Sequence, residues 1–311
     1  MSLKDILKID KLKVTYLVVV FFSLYFVLNL FLGNSFNLKI LNDNQIINYL
    51  LIFLFVLGSF FFAALSYYFL SFHKLSLFRT FIFQFGSNLL NKILPSGIGA
   101  LGMNYLYLKK NKSSITEAVA TLFINNSLGA LQAILIFILI LTFGANRYLS
   151  FSKLDYKYIL IFIGILLICY FAYLINSKLR KIVNKFISEL LNTLKLFTKR
   201  KKEISLALIT QIMISLFNSL ALYFSLKCFG INLGYLNIFI VYIIGVFFGT
   251  FIPLPGGLGG VELGLSAMLI IFGVHSNISI SAVLLFRLFN YWIPLIIGTP
   301  ILFYIKKFKL I

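Results

Sequence analysis

Glu262 and Arg287 are an acidic and a basic residue set deep in apolar sequence, in Gly259-Gly260-Val261-Glu262 and Val283-Leu284-Leu285-Phe286-Arg287-Leu288. An ionisable side chain in such a setting is costly unless paired or hydrated, so each counts as a functional candidate. Arg287 suits a phosphate, and Glu262 suits a cationic or hydroxyl-bearing group. Pairing with each other is the structural alternative. Lys92 stands just before an interruption in another apolar stretch, where it either reaches a phosphate or extends to the interface. Gln84, Ser87, Asn88 and Asn91 recur at helical spacing ahead of the same interruption and share one face. Asn125 and Asn126 lie inside a later apolar run, and Asn290 follows Arg287 closely. Such amides either line a cavity or hydrogen-bond between helices.

Two interruptions frame these residues. The first carries Pro95, Gly97 and Gly99; the second carries Pro253, Pro255, Gly256, Gly257, Gly259 and Gly260. Pro and Gly release backbone N–H and C=O groups from helical bonding. At membrane depth irregular backbone is tolerated where it is buried in protein or lines a wet cavity. A half-helix that starts there presents positive partial charge to an anion such as a phosphate. The plainer alternative is a tight turn between packed half-helices.

The elements that would position these groups are apolar runs. Six are long enough to cross a bilayer, which takes about 20 residues each: approximately 14–32, 46–72, 115–143, 157–176, 204–227 and 279–305. The first follows Lys4, Lys8, Lys11 and Lys13, is too long for a signal-peptide core, and reads as an uncleaved transmembrane helix. The interrupted stretches, 79–108 and 236–274, read as re-entrant hairpins. With the N-terminus cytoplasmic, this threading puts most Lys and Arg residues on the cytoplasmic side, including the basic run within 178–202. Full crossings at the interruptions would put that run outside. Both termini then lie in the cytoplasm, as expected of a multi-pass protein of the plasma membrane.

An internal repeat emerges when Pro95-x-Gly97-x-Gly99 is laid on Pro255-x-Gly257-x-Gly259, which sets Gly102 opposite Glu262. Each half reads helix, helix, broken hairpin, helix, with opposite orientation: 1–143 and 144–311. Inverted repeats with discontinuous helices recur in transporters, which place substrate near the breaks. Segment 178–203 alternates apolar and basic positions at helical spacing; it reads as an amphipathic helix on the cytoplasmic leaflet or a solvated linker.

Composition agrees with an all-α polytopic membrane protein. Of 311 residues, 61% are hydrophobic and 12% charged, where a soluble domain carries about a quarter charged. The net charge of +20 sits in gaps between apolar runs, a pattern that orients membrane helices, so nucleic acid is not an expected partner. Cys169 and Cys228 lack metal-site or disulfide spacing. No phosphate-binding loop, metalloprotease or serine-hydrolase motif occurs, and His73 and His275 fall on opposite sides of the threading. Catalysis, metals and cofactors are therefore not expected.

Pro253-Leu-Pro-Gly-Gly-Leu-Gly-Gly-Val-Glu262, followed by Ala282, Arg287, Tyr291-Trp292 and Gly298, resembles the membrane domain of the lysylphosphatidylglycerol synthase/flippase family. The segment Asn88 to Gly99 looks like that family's first-half motif, and the resemblance covers nearly the whole chain. It implies a flippase-like domain that moves lipid head groups, with Glu262 and Arg287 as the positions to test. The full-length bacterial enzyme adds a cytosolic aminoacyl-transferase domain, for which these 311 residues have no room, so lipid aminoacylation is not expected. Where relatives often carry charge after the first break, this sequence has Asn104 and then Asn125 and Asn126. The expected partners are membrane lipids, either anionic phospholipid or polyprenyl-linked. The competing expectation is a non-transporting subunit that recruits a lipid- or glycan-modifying enzyme.

Overall fold

The structure is a computed structural model that describes residues 45–93, 98–148, 180–181, 184, 188, 195–250 and 257–307. These residues form helices and no strand. In chain order they are α1 (Ile46–Leu70), α2 (Leu77–Ile93), α3 (Ile98–Lys110), α4 (Ile115–Tyr148), α5 (Lys201–Lys227), α6 (Tyr235–Thr250), α7 (Gly260–Ile271), α8 (Ser276–Arg287) and α9 (Ile293–Lys307). A five-residue π-helical turn, Leu288–Trp292, joins α8 to α9.

Among the described residues, four stretches are long and apolar enough to cross a membrane: Ile46–Leu70, Ile115–Ile136, Lys201–Lys227 and Ser276–Leu302. They match four of the six expected runs. The other two, 14–32 and 157–176, lie outside the described residues, as does most of the basic segment 178–203. The stretch 79–108 is two helices, α2 and α3, and 236–274 is likewise two, α6 and α7. At 1.5 Å per residue, the 12 residues of α7 extend about 18 Å, well short of a hydrocarbon core about 30 Å thick.

Contacts fix how these helices run. Thr80 meets Tyr107 through their hydroxyls at 2.9 Å, Gln84 donates to Asn104 at 3.1 Å, and Leu90 approaches Gly99. As one residue number rises the other falls, so α2 and α3 are antiparallel arms. Gly99 makes their junction: a Cβ there would sit 2.1 Å from the Leu90 carbonyl oxygen. In the second pair Gly245 touches the backbone of Leu265, where a Cβ would lie 2.9 Å from the Leu265 Cα. Gly257 and Gly259, ahead of α7, hold φ values of +68° and +76°, which L side chains rarely adopt.

Among the described helices the largest interface joins α1 to α5. The Phe217 ring fills a notch over Gly58, where a Cβ would come within 2.3 Å. Phe55 stacks on Phe224 at 5.5 Å, and Phe62 meets Phe217 edge-on at 5.0 Å. Ser66 receives Gln211 at 3.3 Å. These pairs also run in opposite senses, so α1 and α5 are antiparallel. Lipid is as apolar as Phe or Leu, so close packing and interhelical polar bonds, rather than hydrophobic exclusion, hold such helices together.

Polar caps finish the helix ends. Arg200, just before α5, donates to the carbonyls of Phe69, Leu70 and Ser71 at 3.2, 2.9 and 3.0 Å. Those carbonyls lie at the end of α1 and lack intrahelical partners there. Its guanidinium also lies over the Phe72 ring, 4.5 Å from the centroid. Ser114 and Glu117 form a reciprocal capping box on α4, at 2.8 and 3.2 Å.

Candidate functional site

The sequence of α8 continues past Arg287 into the π-helical turn, which shifts carbonyls out of the regular helical ladder. Lys92, in the last turn of α2, fills that gap. Its Nζ donates to the carbonyls of Asn290 at 2.7 Å and Tyr291 at 2.9 Å. In return the Tyr291 hydroxyl donates to the Lys92 carbonyl at 3.2 Å. The two elements thus satisfy each other's free ends. Gly298 on α9 permits the approach, since a Cβ there would meet the Phe85 carbonyl oxygen at 2.9 Å.

The Tyr291 ring gathers the charges. Lys92 Nζ lies 4.7 Å from its centroid and Arg287 Cζ lies 4.8 Å away, both within cation–π reach. Arg287 Nε donates to Glu262 Oε1 at 2.7 Å, with side chains 8% and 14% exposed. Glu262 is in the first turn of α7, where the helix dipole favours an anion. Its second oxygen, Oε2, is buried and accepts no hydrogen bond from the described residues. Two basic groups and one carboxylate therefore converge on one buried aromatic ring, with a carboxylate lone pair left over.

Of the residues singled out from sequence, Glu262, Arg287, Lys92 and Asn290 meet here. The Asn290 side chain turns to Asn218 on α5, bonding Nδ2 to Oδ1, while its carbonyl receives Lys92. Lys92 is 5% exposed and bound to backbone, rather than extended to an interface. Among the described residues, half-buried Asn91 has its enclosed Oδ1 without a partner, and half-buried Asn88 makes no side-chain hydrogen bond. Asn125 belongs to a separate cluster: its Oδ1 accepts from Ser66 at 2.6 Å and Gln211 at 3.1 Å. Asn126 is exposed and bonds back to the Leu122 carbonyl at 2.8 Å. Gly99, Gly257, Gly259 and Gly260 bound the two breaks; Pro95, Gly97, Pro253, Pro255 and Gly256 lie outside the described residues.

Sequence reading missed the role of Asn104, which clasps α2 to α3. Its Nδ2 donates to Ser87 Oγ and to the Ala100 carbonyl, each at 2.9 Å, while its Oδ1 accepts from Gln84. The signal was present, since Gln84 and Ser87 share the face that Asn104 meets. It missed Arg200 too, which stood out as an arginine in a lysine-rich run. No pattern announced the Lys92–Tyr291 exchange.

Residues 13–298 match the family described as the lysylphosphatidylglycerol synthase TM region. The chain belongs to this family. The UPF0104 membrane protein of Methanocaldococcus jannaschii is 30% identical over 243 residues, covering 70% of this chain and 94% of the relative. A UPF0104 membrane protein of Pyrococcus horikoshii is 27% identical over 112 residues, or 36% of this chain and 33% of the relative. One from Methanothermobacter thermautotrophicus is 26% identical over 83 residues, or 27% and 25%. Membership in the synthase TM-region family and the four apolar helices make the chain an integral membrane protein.

Proposed function

We propose that this chain is a lipid translocase, moving the head group of an anionic phospholipid or polyprenyl-linked lipid across the plasma membrane. The observation that carries the reading is the Glu262–Arg287 pair, buried beside the start of α7, with Glu262 Oε2 unpartnered among the described residues. A buried charge pair is a weak device for stability, because desolvating both partners offsets much of their attraction. An open carboxylate lone pair and a second cation at Tyr291 suit a zwitterionic or hydroxyl-bearing phosphate group. In this reading α2–α3 and α6–α7 are re-entrant hairpins of an inverted repeat that enter from opposite faces, with both termini cytoplasmic. The antiparallel course of α1 and α5, counterparts in that repeat, supports it. The family's name ties it to a lipid-modifying synthase, yet the reading assigns this chain no bond-making step; its partners are lipids.

The test is reconstitution into liposomes with head-group-labelled phosphatidylglycerol or a short polyprenyl phosphate, scored by protection from an impermeant quencher. Alongside the native chain runs the exchanged pair, Glu262→Arg with Arg287→Glu. The exchange keeps an ion pair but reverses the charge at each position. Transport should fall at least about tenfold, the effect of about 1.4 kcal/mol of lost interaction, while the protein stays monodisperse in detergent. Native transport that survives the exchange unchanged makes the pair structural and removes the site. Absence of movement for every lipid tried, with folded protein, removes the function.

A further inference from the structure

A second polar feature lies away from the ion pair. Between α4, α5 and α6 is a cavity of about 390 Å³, within the usual range for a small-molecule pocket of about 300–1,000 Å³. Gly129 and Ala133 hollow out the α4 side, while Val246 and Phe247 wall it with apolar surface. Gln132, half-way along α4 and 5% exposed, lines it as well. Ser215 on α5 donates to Gln132 Oε1 at 3.1 Å. That bond commits Oε1, while Nε2 is buried with no hydrogen-bond partner among the described residues. Membrane interiors seldom leave a buried donor unmet.

The chemistry of the missing partner follows from the lining. An amide N–H wants an acceptor, and walls this apolar exclude a bare anion. A neutral carbonyl carried on a hydrocarbon chain meets both conditions. Tyr242 lines the cavity, and its ring meets that of Phe286, the residue before Arg287, edge-on at 6.3 Å. The cavity is thus placed to take the part of a lipid next to a head group held at the ion pair. Ala130 and Ile134 on its α4 rim are exposed, which leaves a lateral way in.

We propose that this cavity binds the acyl-ester segment of a diacyl lipid, with Gln132 Nε2 donating to one ester carbonyl. The proposal rests on the lipid reading above, but not on transport. It is tested with the purified full-length chain in non-ionic detergent by competition binding. The two probes are dioleoyl phosphatidylglycerol and its dialkyl ether analogue, which share head group and chain length and differ in the carbonyls. The ester lipid should bind at least about fivefold tighter, as befits one hydrogen bond to an otherwise unmet donor. Gln132→Leu should bring ester binding down to the ether level and leave ether binding where it was. Ala133→Phe, which fills the cavity, should weaken both lipids, and it serves if the Gln132 variant does not fold. Equal affinity of the native chain for the two lipids overturns the proposal, as does an ester preference that survives Gln132→Leu. The two readings fail separately: an ester preference without transbilayer movement keeps the cavity assignment and sinks translocation, and movement without the preference does the reverse.

Discussion

Lys92→Met is the substitution that most directly tests how the two ends of the described chain are joined. Methionine matches the length of the lysine stem and is at home in apolar surroundings, so shape is nearly preserved. What goes is the ammonium, with bonds at 2.7 and 2.9 Å to the Asn290 and Tyr291 carbonyls and its place over the Tyr291 ring. A hydrogen bond from a charged group contributes about 1.5–3 kcal/mol, and a desolvated cation–π contact about 2 kcal/mol. Against these stands the relief of no longer burying an ammonium, which costs several kcal/mol. The carbonyls decide the sign, because each is left buried without a donor at about 1–3 kcal/mol. We expect a net loss of about 3 kcal/mol. At about 2.1 cal/mol/K of unfolding entropy per residue, a chain of 311 residues shifts by about 1.5 °C per kcal/mol, so Tm falls by about 5 °C. Trp292 is the one tryptophan of the chain and stacks edge-on against Tyr291 at 5.1 Å. Thermal scans of its emission in detergent therefore report on this turn directly. A Tm equal to or above that of the native chain, with Trp292 emission unchanged, would refute the reasoning and make Lys92 a tolerated burden rather than a clasp.

Gly99→Ala should prevent the α2–α3 pair from closing, since the new Cβ meets backbone at 2.1 Å, whereas Gly102→Ala meets nothing within 4 Å. We expect a loss above about 3 kcal/mol for the first and within about 0.5 kcal/mol for the second, read by detergent melting of the two proteins side by side. Arg200→Ala removes three carbonyl bonds from the end of α1 and should cost about 2 kcal/mol. Arg200→Lys should recover less than half, because an ammonium lacks the planar fork; limited proteolysis near residue 71 measures the fraying. Burial pushes the Cys228 thiol up to about 11. With Cys169 replaced by Ser, maleimide labelling at pH 7 should be negligible and should rise tenfold per pH unit toward pH 11, because the thiolate is the nucleophile. Rapid labelling at pH 7 contradicts that burial.

The four spans were legible from hydropathy because the bilayer imposes a length on each, and α1 and α5 fall within three residues of the runs read from sequence. The two Pro/Gly interruptions were legible as places where helices stop, and α2 and α6 do end there. The Glu262–Arg287 contact was legible as one of two alternatives: two charges isolated in apolar sequence either serve a ligand or pair with each other, and they pair. Side-chain partners to backbone were not legible. Lys92 meets carbonyls 198 and 199 residues away that are available because one turn widens, and nothing in the types or spacing of Leu288–Trp292 marks that widening. Nor did the polar amides declare their allegiance. Asn125 binds Ser66 and Gln211, while its neighbour Asn126 serves its own helix. In a soluble protein the apolar face would have told them apart, but a lipid-facing helix is apolar on both sides.

The distance along the chain between Lys92 and its acceptors has a consequence for how the protein is made. At about 5–20 residues per second, the 198 residues that separate Lys92 from Asn290 take about 10–40 s to emerge from the ribosome. Throughout that interval the finished first half carries a lysine whose carbonyl acceptors do not yet exist. Asn125 waits in the same way for Gln211, 86 residues later. The early half must meanwhile keep these groups at the water boundary or within the insertion machinery. The helices around Asn290 and Tyr291 are then the ones that draw Lys92 into the bilayer, so the early half packs fully only after they emerge.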